Sequence, residues 1–351
     1  MGPLLTVLIP NYNYARYLVA AVDSALALDY APKEIIVVDD GSTDGSRAIL
    51  CDYEQRGAIK TVFQANGGQP AALNAGFKHA RGELLYVLDS DDIVAPHMMK
   101  RVMQVWRPGM SKVQFCLESI DENGERIGSI FPNFPAGTTP AMLRRAVLET
   151  GEYQSPPTSG NVYAQSYLAR LFPLEPERFR YSDGPMNAVA PLYGEVEAIP
   201  EALGQYRMHG ANQWGRREFD PTVYTRAVTH NLALDAYIAE HARALGVAFR
   251  PELSDRAPWA MQYRMASIKL GPERHPLPES AAHVMKLGLA AVVESATLSA
   301  AQKATIIPWL LLMGVAPRKL AAELAKLRFH PSSRPQLLSR ALKAFGTLKP
   351  S

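Results

Sequence analysis

Cysteine is nearly absent from this chain of 351 residues: Cys51 and Cys116 stand far apart in unrelated contexts. That excludes a disulfide framework and a thiolate metal site, and it fits a reducing compartment. Long hydrophobic runs are missing too. The longest, Ile306 to Val315, covers ten residues and contains Pro308 and Gly314, against the roughly 20 that a membrane-crossing helix requires. No basic stretch followed by an apolar run stands near Met1, which predicts no secretory leader and a cytoplasmic setting. Neither Gly-x-Gly-x-x-Gly nor Gly-x4-Gly-Lys-Ser/Thr follows a predicted strand. Phosphate cradling by a glycine loop is therefore unsupported.

The net charge of +3 conceals an asymmetry. From Ala316 onward eight Lys/Arg face a single acid, Glu323, so this tail carries +7 and the residues before it −4. A nucleic-acid binder more often spreads positive charge over its whole fold, and no nucleic-acid partner is expected here. With 47% apolar residues, the chain has material for one large or two ordinary globular domains.

Strand-length apolar runs recur at Leu4 to Ile9, Glu34 to Val38, Ile59 to Phe63, Leu84 to Leu88 and Val113 to Leu117. Between them, Tyr17, Leu18, Ala21, Val22, Ala25 and Leu26 repeat with helical spacing, as do Ala71, Ala72, Ala75, Gly76 and Ala80. Strand and helix in alternation predict an α/β fold with a mostly parallel sheet flanked by helices. In such sheets ligands sit beyond the carboxyl ends of the strands. Those ends are polar throughout: Pro10-Asn11-Tyr12-Asn13, Asp39-Asp40-Gly41-Ser42, Asn66-Gly67-Gly68-Gln69 and Asp89-Ser90-Asp91-Asp92. Beyond Val113 the alternation weakens, and Asp121-Glu122-Asn123-Gly124 reads as a hairpin turn. After Pro221 the pattern is helical, over Val223 to Leu245, Ala257 to Leu270, Ser280 to Leu298 and Arg318 to Leu327. The expected division is a first domain over 1–220, with a nucleotide half at about 1–112 and an acceptor half at about 113–220. A helical extension with a basic tail follows over 221–351.

Asp39, Asp40, Asp89, Asp91 and Asp92 fall on two strand ends. Such a cluster is costly to desolvate unless something positive completes it, and hard oxygen ligands suit Mg²⁺ or Mn²⁺ bridging substrate phosphates. Helix capping accounts for Ser42 or Thr43. It does not account for Asp-Ser-Asp-Asp after the apolar strand Leu84 to Leu88.

Four motifs in order, Leu8-Ile9-Pro10-Asn11-Tyr12-Asn13, Ile35 to Asp44, Asn74-Ala75-Gly76 with Ala80-Arg81-Gly82-Glu83, and Leu88-Asp89-Ser90-Asp91-Asp92, resemble the signatures of glycosyltransferase family 2. The resemblance covers about residues 4 to 215. It implies a GT-A fold, inversion at the anomeric carbon, and a nucleotide-sugar donor, UDP or dTDP, held through Mn²⁺ or Mg²⁺. It also implies that Pro10 and Tyr12 line the nucleoside pocket and that Asp39 or Asp40, with Asp40 favoured, bonds the base. Gln69 and Asn74 would belong to the same donor site. Asp91 would contact the metal, and Asp89 the ribose or the metal's water shell. Tyr12 also reads as a core aromatic at the strand end.

The stretch Phe179 to Met186 is similar to the family's acidic motif, but Ser182 and Pro185 replace two of its acids. Only Asp183 remains, and the resemblance makes it the general base; the alternative is a helix cap. The two departures leave open a module that binds nucleotide sugar or carbohydrate without turnover. Leu203 to Asn212 resembles the Tyr-Arg-x-His-Gly segment of the family, which puts Arg207 or His209 at the diphosphate leaving group. The Gln-x-x-Arg-Trp sequence of processive synthases is absent, although Gln213-Trp214-Gly215-Arg216 comes near it. Transfer of a single sugar to a glycan or lipid-linked saccharide is expected, in cell-surface polysaccharide synthesis. Finally, Ile306, Ile307, Trp309 and Leu310 to Leu312, beside Arg318, Lys319, Lys326 and Arg328, suit peripheral contact with an anionic membrane at its inner face. They equally suit a helix buried on the body.

Overall fold

The computed structural model describes residues 2–210, 219–295 and 298–329. Gln213 to Arg216 and the chain beyond Phe329, including half of the basic tail's charges, lie outside the described residues. Two compact units divide the chain: Met1–Arg144 with Gln154–His209, and Arg145–Tyr153 with Gly210–Ser351.

In the first unit the strands are β1 (Leu5–Asn11), β2 (Lys33–Asp39), β3 (Lys60–Phe63), β4 (Leu84–Val87), β5 (Ile93–Val94), β6 (Met110–Ile120), β7 (Arg126–Phe131), β8 (Asn161–Ala164) and β9 (Glu195–Arg207). The helices in chain order are α1 (Ala15–Leu26), α2 (Ser46–Gln55), α3 (Gln69–Phe77), α4 (Met98–Val105), α5 (Pro140–Thr150), which runs across the division between units, α6 (Gln165–Leu168), α7 (Asp183–Ala188) and α8 (Ala190–Tyr193). The strands form one sheet in the order β3-β2-β1-β4-β8-β6-β9-β5, with β7 paired to β6. The first four are parallel. From β8 onward the pairing is antiparallel, apart from β6 with β9. The turn expected at Asp121 to Gly124 joins β6 to β7.

Every residue of β1 is buried, as a central parallel strand covered on both faces must be. Leu5, Val7 and Ile9 meet Leu18, Ala21, Val22 and Ala25 of α1 in the main core. Two of the sequence motifs are packing devices. A Cβ on Gly76 would stand 2.2 Å from Leu8 Cδ1 and 3.0 Å from Val38 Cγ2, so only glycine lets α3 lie this close to β1 and β2. A Cβ on Gly82 would stand 2.5 Å from Thr6 N. The Thr6 hydroxyl accepts from Gly82 N and donates to Glu34, which also takes the main-chain N–H and guanidinium of Arg81. The Ala80-Arg81-Gly82-Glu83 motif thereby ties the entry of β4 to β1 and β2, and sets which residues of β4 reach the rim.

The second unit contains α9 (Thr222–Ala244), α10 (Pro258–Leu270), α11 (Ala281–Glu294), α12 (Ala300–Val315) and α13 (Arg318–Phe329). Ser299 opens α12 with a capping box: its hydroxyl accepts from Gln302 N while Gln302 Oε1 accepts from Ser299 N. Met261, Met265, Val284, Val292, Ile306, Trp309, Leu310 and Met313 form this unit's core. The buried-helix expectation thus holds for Ile306, Trp309 and Leu310, whereas Leu311, Leu312, Val315 and Leu320 are exposed. Among the described residues no helix is long and apolar enough to cross a membrane.

Candidate active site

The loops after β1 and β2 are stitched together by short polar side chains. Asn11, buried at the end of β1, donates to Asp39 Oδ1 at 3.0 Å and to Ser42 Oγ at 3.2 Å. Asn13, held at φ 59°, accepts from Thr43 N at 2.7 Å, and its own N–H donates to Ser42 Oγ. Asp39 and Asp40 are both buried. Asp39 further accepts from Ser42 N at 3.3 Å. Asp40 is the more fully engaged, its carboxylate taking Gln64 Nε2, Gly67 N and Gly68 N at 2.6, 2.9 and 2.8 Å. Pro10 is buried beside Val38, while Tyr12 is 46% exposed at the rim and is no core aromatic.

The strongest electrostatic signal comes from the end of β4. Asp89 is pushed up to about 8, first by loss of water around it and then by the charges of Asp91 and Asp183. Asp92 is pushed well above the usual carboxylate range, again by burial and then by Asp91 and Asp89. Its Oδ1 accepts from Arg207 N at 2.9 Å, and its Oδ2 is buried with no hydrogen-bond partner. These acids share one low-dielectric region and raise each other's proton affinity.

β9 brings two predicted residues to this cluster. His209 Nε2 lies 2.9 Å from Asp91 Oδ2, and its ring stacks on Tyr17 with centroids 5.1 Å apart. Arg207 is buried, with Nε on the carbonyl of Asp91 at 2.8 Å and Nη1 on that of Asp121 at 3.2 Å. Its guanidinium also lies over the Tyr17 ring. Arg207 thus braces the Asp91 loop from beneath through main-chain carbonyls.

Gln69, the first residue of α3, spans the two ends of the site. Its Nε2 donates to Asp89 Oδ1 at 2.9 Å, and its Oε1 accepts from Ser182 N at 3.3 Å. Asp183 follows Ser182 as the first residue of α7 and accepts from Gly184 N; Ser182 occupies the cap position without a side-chain cap bond. Asn74 is turned elsewhere. Its amide clamps the main chain of Leu174, donating to the carbonyl at 2.8 Å and accepting from the N–H at 2.7 Å, which holds the segment leading to Asp183.

Three residues escape motif reading altogether. Lys112 is fully buried in β6, its Nζ 2.8 Å from Asn187 Oδ1 on α7, and Tyr163 donates to the same oxygen at 2.9 Å. The signal available in the sequence is a lysine set immediately before the predicted apolar strand Val113 to Leu117, where a buried charge costs most.

Among the described residues, no three His, Cys, Asp or Glu side chains form a closed metal cage. Magnesium and manganese sites at diphosphates need only one or two side chains, the remaining positions being filled by water and phosphate. The Asp91 carboxylate paired with the His209 imidazole, beside the partnerless Oδ2 of Asp92, fits that requirement in donor chemistry.

Residues 6–148 match the profile of Glycosyl transferase family 2. An uncharacterised glycosyltransferase of Nostoc sp. is 38% identical over 213 residues, which cover 59% of this chain and 66% of the relative. A second, from Rickettsia prowazekii, is 34% identical over 135 residues, or 38% of this chain and 42% of its own. The chain thus spans less than two thirds of the length of either relative. Among solved structures, Staphylococcus aureus TarS 1–349 in complex with UDP-GlcNAc superposes with a TM-score of 0.53 at 14% identity, over 92% of this chain and 90% of that one. That likeness is one of fold, the GT-A fold. With motif order, sheet and relatives in agreement, residues 6–148 are a glycosyltransferase family 2 segment.

Proposed function

We propose that the protein is an inverting glycosyltransferase that moves one sugar from a nucleoside diphosphate sugar, UDP or dTDP, to a hydroxyl of a glycan or lipid-linked saccharide. The observation carrying this reading is the Gln69 strut, which joins Asp89 of the acid cluster to the main chain beside Asp183. Donor-side and acceptor-side acids, 94 residues apart in sequence, meet in one site.

Pro10, Tyr12 and Asp39 hold the nucleoside, and Asp39 is the better partner for the base because Asp40 already accepts three hydrogen bonds. Asp91 and His209, with Asp89, would hold Mn²⁺ or Mg²⁺ at the donor's diphosphate. When bound, that ion offsets the charge developing on the leaving group. Asp183 takes the proton of the acceptor hydroxyl as its oxygen bonds to the anomeric carbon from the face opposite the departing diphosphate oxygen. The carbon–oxygen bond to the diphosphate breaks as the new one forms, and the configuration inverts.

Leu311, Leu312, Val315 and Leu320 stand exposed beside the exposed Arg318 and Lys319. This combination favours contact with an anionic lipid surface, hence a peripheral position on the cytoplasmic face and a role in cell-surface polysaccharide synthesis. Flotation with phosphatidylglycerol vesicles, lost on Leu312→Glu with Val315→Glu, is the expected result.

The donor reading is tested by thermal shift with UDP-, dTDP- and GDP-sugars with and without Mn²⁺, since a ligand bound only by the native state raises the midpoint. A nucleotide-sugar shift that requires metal, together with release of the nucleotide diphosphate, supports the reading. Binding with no turnover on any acceptor supports the non-catalytic alternative instead.

A further inference from the structure

The scheme above gives no part to Lys112, a fully buried cation of the first unit. Lys112 lies on β6, and the pleat puts it on the same face as Gln114. Opposite them in the antiparallel register stand Tyr163 and Asn161 of β8. All four are fully enclosed, so β6 and β8 bury a polar face where two apolar ones would pack at lower cost.

The hydrogen bonds from this face run to two segments. Lys112 Nζ donates to Asn187 Oδ1 at 2.8 Å and to Ser155 Oγ at 3.0 Å. Gln114 Nε2 donates to the carbonyl of Gln154, and Asn161 Nδ2 to that of Pro157, at 3.0 and 2.7 Å. Asn187 gathers the Tyr163 hydroxyl at 2.9 Å and extends its own Nδ2 to the carbonyl of Pro156 at 3.4 Å. Asn187 is the fourth residue after Asp183 on α7, which puts them one turn apart on one helix face. Burial lowers the proton affinity of Lys112, and the charge of Asp183 opposes that lowering. Taking an ammonium out of water is costly even when it is hydrogen-bonded, and a methionine would fill the space without that cost. The lysine is the expensive choice.

We infer that Lys112 is a positioning residue for Asp183: through Asn187 it locks the turn of α7 that carries the carboxylate and so fixes where that carboxylate meets the acceptor hydroxyl. The inference rests on the reading of Asp183 as the base. Lys112 touches neither donor nor acceptor in this scheme, so its removal acts on the chemical step and leaves donor binding intact.

The test compares Lys112→Met, Asn187→Leu, Asn187→Asp and the Lys112→Met/Asn187→Leu pair with the parent enzyme, in steady-state transfer with donor and acceptor varied separately. Lys112→Met and Asn187→Leu each lower kcat by roughly 10- to 100-fold with donor KM within about two-fold, and the pair loses no more than the worse single change. Asn187→Asp keeps an acceptor for Nζ and holds kcat within about three-fold of the parent. Losses that add, losses shared equally by kcat and donor KM, or a folded Lys112→Met with parental kcat overturn the inference. Should Lys112→Met fail to fold, the two Asn187 variants decide alone: a difference between Leu and Asp upholds it, and equal activities overturn it. Asp183→Asn in the same assay separates the layers. If Asp183→Asn is inactive and Lys112→Met is parental, the base stands and only the role of Lys112 falls. If Asp183→Asn transfers at the parental rate, both fall.

Discussion

At the strand ends of the first unit, burial and the neighbouring charges of Asp91 and Asp183 push Asp89 up to about 8. In the helical unit the partly buried Glu279 moves the other way. Burial alone would raise it, but hydrogen bonds from Arg264 and His275 hold it below the usual carboxylate range. Arg264, 5% exposed, places its guanidinium between Asp255 and Glu279, with Nε on Glu279 Oε1 at 2.8 Å, and His275 Nε2 meets the same oxygen at 2.9 Å. The helical cluster is electrostatically complete. In the first unit the like charges still dominate, which is the imbalance that the proposed binding of a cation and a diphosphate would offset.

Removing the second acid of the open cluster gives the largest effect. Asp91→Ala is expected to lower transfer about 10³-fold, the scale seen when a group stabilising developing charge is deleted, and to abolish the Mn²⁺ dependence of nucleotide binding. Its melting temperature should change little, since the loss of the His209 contact is set against the removal of a repelling charge. A variant that keeps metal-dependent binding would break the contrast between the clusters. Arg264→Met reverses the pattern. Breaking a buried pair by deleting one partner costs about 3–5 kcal/mol, to be read in urea unfolding, with kcat per folded molecule unchanged. A neutral result would mean that the helical cluster is solvated and not complete.

The pH dependence separates the two by sign. The folded-state value of Asp89 lies above its unfolded value, so its contribution to stability is fully present below about pH 4 and is lost as pH rises through about 8. Glu279 is depressed, so its contribution is present above the ordinary carboxylate range and is lost as pH falls through its lowered value. Melting curves from pH 3 to 9 should therefore show Asp89→Asn flattening the alkaline decline and Glu279→Gln flattening the acid one. Mn²⁺ with UDP should also flatten the alkaline side in the parent. Parallel curves for parent and Asp89→Asn would remove the open cluster as a physical entity.

The strand-end part of the proposed site is legible in the sequence because its residues are local. Each strand is followed at once by its polar residues, and parallel order brings those ends to one rim, so Pro10, Asp39 and Asp91 can be named from contiguous text. Other assignments need the third dimension. Asn74 belongs to a signature motif, yet its amide holds Leu174, 100 residues away. The cationic reading of Arg207 misses that its guanidinium is occupied by the carbonyls of Asp91 and Asp121. The part around α7 is least legible. Lys112 and Asn187 meet across 75 residues, and no periodicity announces that β6 and β8 share a polar face. In the tail, composition shows an apolar patch beside basic residues, but only the helix packing sorts Trp309 and Leu310 inward from Leu311 and Leu312 outward.

Gln69 offers the smallest expected effect and the finest test, because its side chain is bonded to both ends of the site. Gln69→Ala removes two neutral-donor hydrogen bonds, each worth about 0.5–1.5 kcal/mol net, and should lower kcat roughly ten-fold with little change in melting temperature. Gln69→Glu keeps an acceptor for Ser182 N but sets a carboxylate against Asp89 Oδ1, where the alanine leaves only space. If Asp89 already sits among uncompensated charge, the glutamate should be the worse of the two and should weaken metal-dependent UDP binding, which the alanine spares. If instead both variants lose activity equally and bind UDP equally, Gln69 serves as scaffold alone, and the acids on either side of it act as separate groups.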